Sequence, residues 1–190
     1  LDKPIAMTRS AAGLPTGRLG VWWVLVSEIV IFGGVLVSYI MNRIGHAEWA
    51  EEASHTNTVA GAVNTLVLLS SSLSAVLAHK AAEEKNGPKA ARLLWLTVMG
   101  GGIFLIVKSF EWGHEIAEGF TIQMGGFWGY YYTAAGLHAF HVMAGMVLMG
   151  WVATTAAKNQ ELHRVENVGI YWHFVDMVWI FLFPLLYIAK

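Results

Sequence analysis

The chain has 190 residues and no cysteine. That removes disulfide frames, thiolate metal sites and iron–sulfur clusters from its chemistry. Charged residues are scarce at 13%, and the formal net charge is -1. The basic footprint of a nucleic-acid binder is therefore missing. There are four prolines, no internal repeat and no low-complexity segment. No polar stretch is long enough to form a separate soluble catalytic domain. What fills the chain is apolar: hydrophobic residues make up 56%. That balance is wrong for a soluble domain and typical of a membrane protein.

A helix needs about 20 apolar residues to cross a bilayer. Five windows qualify: Leu19–Met41, Val59–His79, Leu93–Glu111, Phe127–Thr154 and Val168–Ala189. Helices are expected because a lone apolar segment must satisfy its own backbone in lipid. The expected fold is an all-α membrane bundle: a tail over residues 1–18 and one five-helix domain over 19–190. The tail carries Pro4, Gly13, Pro15 and Gly17 and no apolar run, so it does not read as a signal peptide. Asn86-Gly87-Pro88 marks a turn. Nine of the twelve Lys and Arg fall in the tail and the second and fourth connections. The positive-inside rule then puts the N-terminus in the cytoplasm and the C-terminus outside. Glu48, Glu51, Glu52, Glu115 and Glu118 read as outer-loop acids.

Ionisable residues inside a span are costly and face protein rather than lipid. Glu28, His141 and Asp176 come within a few ångströms of one level by helical rise. Glu28 and His141 are placed to pair. A carboxyl alone in that layer is neutral; beside an imidazole it can hold or share a proton. Tyr131, Ala134, His138, His141 and Gly145 form one stripe on the fourth span, and Asn64, Ser71, Ala75 and Ala78 one on the second. His173, Asp176, Ile180 and Tyr187 share a face on the fifth. His138 and His141 read as interhelical hydrogen-bonding groups, with haem ligation alongside His173 the sharper alternative. Met143, Met146 and Met149 offer a copper relay or, fanning around the helix, ordinary packing. Lys108 and Glu111 read as an ion pair near the outer surface with the lysine snorkelling. Trp22, Trp23, Trp95, Trp112, Trp128, Tyr130, Tyr131, Tyr132, Trp151, Tyr171 and Trp172 read as interfacial anchors, with Trp179 deeper.

Five stretches, "GVWWVLVSEIVIFGG", "NTLVLLSSS", "FLIVKSFEW", "YYTAAGLHAFHVMAG" and "YWHFVDMVWIFLF", together resemble subunit III of the haem–copper oxidases. They occur in family order across all five spans. The resemblance implies a non-catalytic, accessory subunit that binds no metal or cofactor itself. Haem and copper are then expected in a partner, subunit I, on which this chain packs while supporting proton uptake and sustained turnover. Structural phospholipid and the bacterial inner membrane are also implied. By resemblance, Glu28 matches the family's buried carbodiimide-reactive glutamate and His141 its fourth-span His motif. His173, Asp176 and Trp179 match "YWHFVDxVW", and Asn64, Ser71 and Glu111 match further signature positions. The longest members have seven helices; the first span here matches the third of those, as in a five-helix form. The alternatives are an accessory subunit of a nitric oxide reductase, a stand-alone haem-binding electron carrier, and a proton-coupled transporter using Glu28, His141 and Asp176.

Overall fold

The computed structural model describes residues 16–189. Among them are five helices long and apolar enough to cross a membrane, and no strand. These are α1 (Thr16–Gly45), α3 (Thr58–Glu83), α4 (Gly87–Ala117), α5 (Gly126–Ala156) and α6 (His163–Phe183). A short helix α2 (Trp49–Ser54) joins α1 to α3, and a π-helical turn, Pro184–Ile188, follows α6. Every expected span is present, and α1, α3, α4 and α5 run past both expected ends. The extension of α4 matters most: Glu115 lies inside the helix and is buried, so it is not a loop acid.

Consecutive helices run antiparallel, and α3, α4, α5 and α6 close into a four-helix bundle. Helix α1 lies outside it against α5 and α6 and is the least covered span. Large apolar side chains such as Trp23, Val30, Phe110 and Val147 point outward. In lipid this is their solvated side, and it gives helices no apolar reason to associate. Packing must come from close backbone approach and from polar contacts.

Two indoles of α6 supply both. Trp172 and Trp179 are two turns apart and share a face. Trp172 is fully buried. Its Nε1 donates to Ser71 Oγ of α3 at 3.1 Å. Its ring lies over Gly101 of α4 and Gly145 of α5, where an added Cβ would meet ring atoms at 2.8 Å and 2.9 Å. Trp179 repeats the arrangement one layer along. Its Nε1 donates to Thr65 Oγ1 of α3 at 2.9 Å. Its ring meets Phe104 of α4 edge-on and stacks on His138 of α5. Trp172 is therefore no interfacial anchor, and neither is Trp128, which is also fully buried. Nearness to a span end had suggested the belt; the side chains instead turn inward, Trp172 onto two glycines and Trp128 among Phe120, Phe127, Tyr131 and Tyr132.

The ends are closed by specific groups. Asn57 caps α3, accepting from Ala60 N, and Asn86 caps α4, accepting from Lys89 N with Pro88 in the first turn. Gly87 is required for a close approach: its N–H donates to Asn159 Oδ1 at 2.8 Å, and a Cβ there would lie 2.1 Å from the Ala156 carbonyl oxygen. At the other end Pro184 cannot continue the α-helical ladder. The chain takes a π turn closed by Ala189 N to Pro184 O. Carbonyls left at that end find donors. Tyr39 donates to Leu185 O, Thr58 to Tyr187 O and Arg43 to Ala189 O.

Gly145→Val should push the Trp172 ring out of its notch, costing about 1–3 kcal/mol as overpacking does. A lowered unfolding temperature of the detergent-purified protein is expected. Gly150→Ala is the control, because its Cβ would meet Trp95 at an ordinary 3.5 Å.

Candidate functional site

Three groups of paired ionisable side chains lie among the helices. The first joins α1 to α5. His141 Nε2 lies 2.9 Å from Glu28 Oε2, and the two side chains are 11% and 15% exposed. His141 Nδ1 sits 2.8 Å from Leu137 O. A carbonyl only accepts, so Nδ1 carries a proton and Nε2 faces the carboxyl. One further proton between Nε2 and Oε2 gives either a neutral pair or an imidazolium with a carboxylate. Phe32 meets the imidazole edge-on, and Tyr171 donates to the His141 carbonyl at 3.4 Å. The depth argument from sequence thus brings Glu28 and His141 together.

It does not bring in Asp176. Among the described residues no hydrogen bond or ion pair joins Asp176 to Glu28 or His141. Asp176 is buried on the α3 side of α6, beside Ser72. The Ser72 hydroxyl is 2.6 Å from His173 Nδ1. Equal depth was right in kind, but the residue's angular position on α6 sends it toward another neighbour. Ile180 leaves the expected face as well and is exposed, while the π turn returns Tyr187 to the core.

His138 overturns its expectation more sharply. It is fully buried, and among the described residues neither ring nitrogen has a hydrogen-bond partner. It sits between Phe104 and Trp179, with ring centroids 5.3 Å and 5.1 Å away. It behaves as an aromatic ring in the Trp179 layer. His138, His141 and His173 occupy three separate settings rather than presenting a facing pair. Of the three methionines, Met149 is buried and Met143 is exposed, so they do fan around α5. Among the described residues no set of three or more His, Asp or Glu is placed to hold a metal ion.

The third group lies at the α2 end of the bundle. Lys108 is 1% exposed and does not snorkel. Its Nζ donates to Tyr131 Oη at 2.8 Å and to Tyr187 Oη, and lies 3.2 Å from Glu111 Oε2. The Tyr131 and Tyr187 rings face it at 4.7 Å and 4.9 Å from their centroids, a cation–π setting. Tyr131 Oη is also 2.9 Å from Glu111 Oε1 and 2.9 Å from Glu115 Oε1. The lysine stays inside because this cluster replaces water completely; the long α4 places 108, 111 and 115 on one face. Sequence reading found Lys108 and Glu111 but missed Glu115, Tyr131 as a ligand of the pair, and Tyr187. The i, i+4 step from Glu111 to Glu115 was the available signal. Asn64 and Ser71 are buried as expected: Asn64 donates to Phe104 O, and Ser71 receives Trp172.

Comparison with known proteins resolves the class. The family model described as Cytochrome c oxidase subunit III matches residues 10–190. This chain belongs to the cytochrome c oxidase subunit III family. It is 34% identical to the cytochrome c oxidase subunit 3 of Corynebacterium diphtheriae, over 87% of this chain and 84% of the relative. It is 31% identical to the cytochrome bo(3) ubiquinol oxidase subunit 3 of Pseudomonas aeruginosa, over 89% and 83%. A heme-copper oxidase subunit I+III of Aeropyrum pernix is 28% identical over 90% of this chain and 22% of its own length. As a subunit III, the chain is an accessory membrane subunit of a haem–copper oxidase.

Lys108→Met should leave two buried carboxyls without their cation. Breaking a buried ion pair this way costs about 3–5 kcal/mol. Thermal unfolding of the purified protein should show the loss. Lys108→Met combined with Glu111→Gln should recover part of it.

Proposed function

We propose that this chain packs on subunit I of a proton-pumping terminal oxidase and sustains its turnover without catalysing a reaction itself. The observation that carries the reading is the Glu28–His141 pair. It sits on the seam between the outlying α1 and α5, incompletely covered by this chain. An ionisable pair left at that position in lipid calls for a protein neighbour. The thinly buried α1 gives the same neighbour an apolar face to cover. The relative whose name joins subunits I and III in one chain supports subunit I as that neighbour.

In this role Glu28 and His141 hold one mobile proton between them beside the partner's proton-uptake path. The haem and copper reside in the partner. The N-terminus is cytoplasmic and the α2 end faces outward, in a bacterial inner membrane, as the distribution of Lys and Arg supports. Structural phospholipid fills the grooves that the exposed apolar faces leave between this chain and its neighbours. His173 stitches α6 to α3 through Ser72, and Trp179 does so through Thr65 further along.

The test is purification in mild detergent with mass spectrometry of the subunits that accompany the chain. An oxidase subunit I carrying the haem ligands is expected; a nitric oxide reductase core in its place overturns the reading. Within the assembled oxidase, Glu28→Ala should leave the initial rate little changed and shorten the turnover lifetime several-fold. An unchanged lifetime would remove Glu28 from the proposed role.

A further inference from the structure

The cluster at the α2 end has a hydrogen count that does not close with both carboxyls ionised. Tyr131 Oη has four polar neighbours: Lys108 Nζ at 2.8 Å, Glu111 Oε1 and Glu115 Oε1 at 2.9 Å each, and Tyr187 Oη at 3.1 Å. The ammonium can only donate. The Tyr187 hydroxyl is 2.7 Å from Glu111 Oε1 and spends its proton there. Tyr131 has one proton and two carboxyl oxygens at equal distance. With two carboxylates, one of those 2.9 Å contacts is oxygen against oxygen with no hydrogen between. One added proton supplies the hydrogen missing between Tyr131 and the carboxyls, and leaves only the longer 3.1 Å contact between the two hydroxyls without one.

The surroundings decide which carboxyl takes it. Glu111 receives Tyr187 and faces Lys108 Nζ at 3.2 Å. Glu115 has the Tyr131 hydroxyl, and its Oε2 is buried without a hydrogen-bond partner among the described residues. Tyr132 stands next to Glu115, but its own proton goes to Phe120 O at 2.7 Å. An ionised Glu115 would therefore keep a bare buried oxygen, which is costly. As a neutral acid it donates to Tyr131, Tyr131 donates to Glu111, and Lys108 and Glu111 cancel in charge. A cavity of about 300 Å³ leads to both carboxyl-bearing residues, lined by His55, Asn57, Phe110 and His114 among others.

We infer that Lys108, Glu111, Glu115 and Tyr131 form a one-proton binding site, reached through this cavity from the α2 end. Glu115 is the acceptor and Tyr131 the hydroxyl that reverses. Loading transfers one proton from water to Glu115 and turns the Tyr131 O–H from Glu115 to Glu111. Unloading restores the first orientation and leaves one net negative charge. The groups facing the acceptor are Lys108 and Glu111 from α4, Tyr131 and Tyr132 from α5, and Tyr187 from the C-terminal turn. His55 and His114 stand at the mouth. The site is separate from Glu28 and needs no assumption about that pair.

Infrared difference spectra between acid and alkaline pH, taken on the intact complex in lipid nanodiscs, test this. Acidification should bring a carboxylic C=O signal equal to one group, together with a tyrosine C–O shift. Both should be absent from the Glu115→Gln spectra and therefore stand out in the wild-type-minus-variant difference. Tyr131→Phe should keep the carboxylic signal and lose the tyrosine one. It serves alone should Glu115→Gln fail to assemble, since a tyrosine signal surviving Tyr131→Phe overturns the site. Persistence of both signals in Glu115→Gln overturns it too, as does their loss on adding sodium or potassium at fixed pH, which would make the ligand a metal cation.

Discussion

The constraint on which this bundle depends is the seating of Trp172. One indole reaches three other helices: its N–H to α3, its ring on a glycine of α4 and a glycine of α5. In lipid, where apolar faces gain nothing by meeting, such a contact sets both distance and rotation. Trp179 copies it and Tyr187 ends the series, so α6 and the π turn after it place three large amphipathic side chains at successive levels. Their polar atoms meet Ser71, Thr65 and the Lys108 cluster in turn. The order along α3 runs backward against α6, as an antiparallel pair requires.

The two ionisable centres show opposite treatments of charge in a membrane. At the α2 end Lys108 and its partners are enclosed by the chain itself, and every donor of the lysine faces an oxygen. At the α1 seam Glu28 and His141 pair with each other and stay partly uncovered. The first serves cohesion, and a single proton balances its charge. The second is incomplete until something else lies against it. The same residue types are enclosed in one place and left partly open in the other, and the proposed role of each follows from that difference.

Much of this was legible in the sequence. Apolar length revealed the five spans, and three- and four-residue spacing revealed the buried stripes of α3 and α5. Helical rise paired Glu28 with His141 across two helices. What stayed hidden depended on rotation and on ends. Depth alone could not say which neighbour Asp176 would face, because rise carries no information about azimuth. Trp128 looked interfacial because its position along the axis is peripheral while its direction is inward; Trp172 did because the expected span began at Val168, whereas α6 begins at His163 and carries Trp172 mid-helix. Lys108 looked like a snorkelling side chain because Tyr131 and Tyr187, its replacement for water, lie 23 and 79 residues away. His138, a polar residue by type, serves as a ring because Phe104 and Trp179 present it only aromatic surfaces.

The π turn at Pro184 also bears on the order of assembly. Lys108 belongs to the third long helix, yet one of its ligands, Tyr187, follows the fifth. During insertion the lysine and its two glutamates must wait, incompletely satisfied, while two more helices enter the bilayer. Such long-range closure is slow and comes late. The final turn therefore acts as a latch on the whole order of insertion. A chain halted before it would hold all five long helices around an unfinished charge.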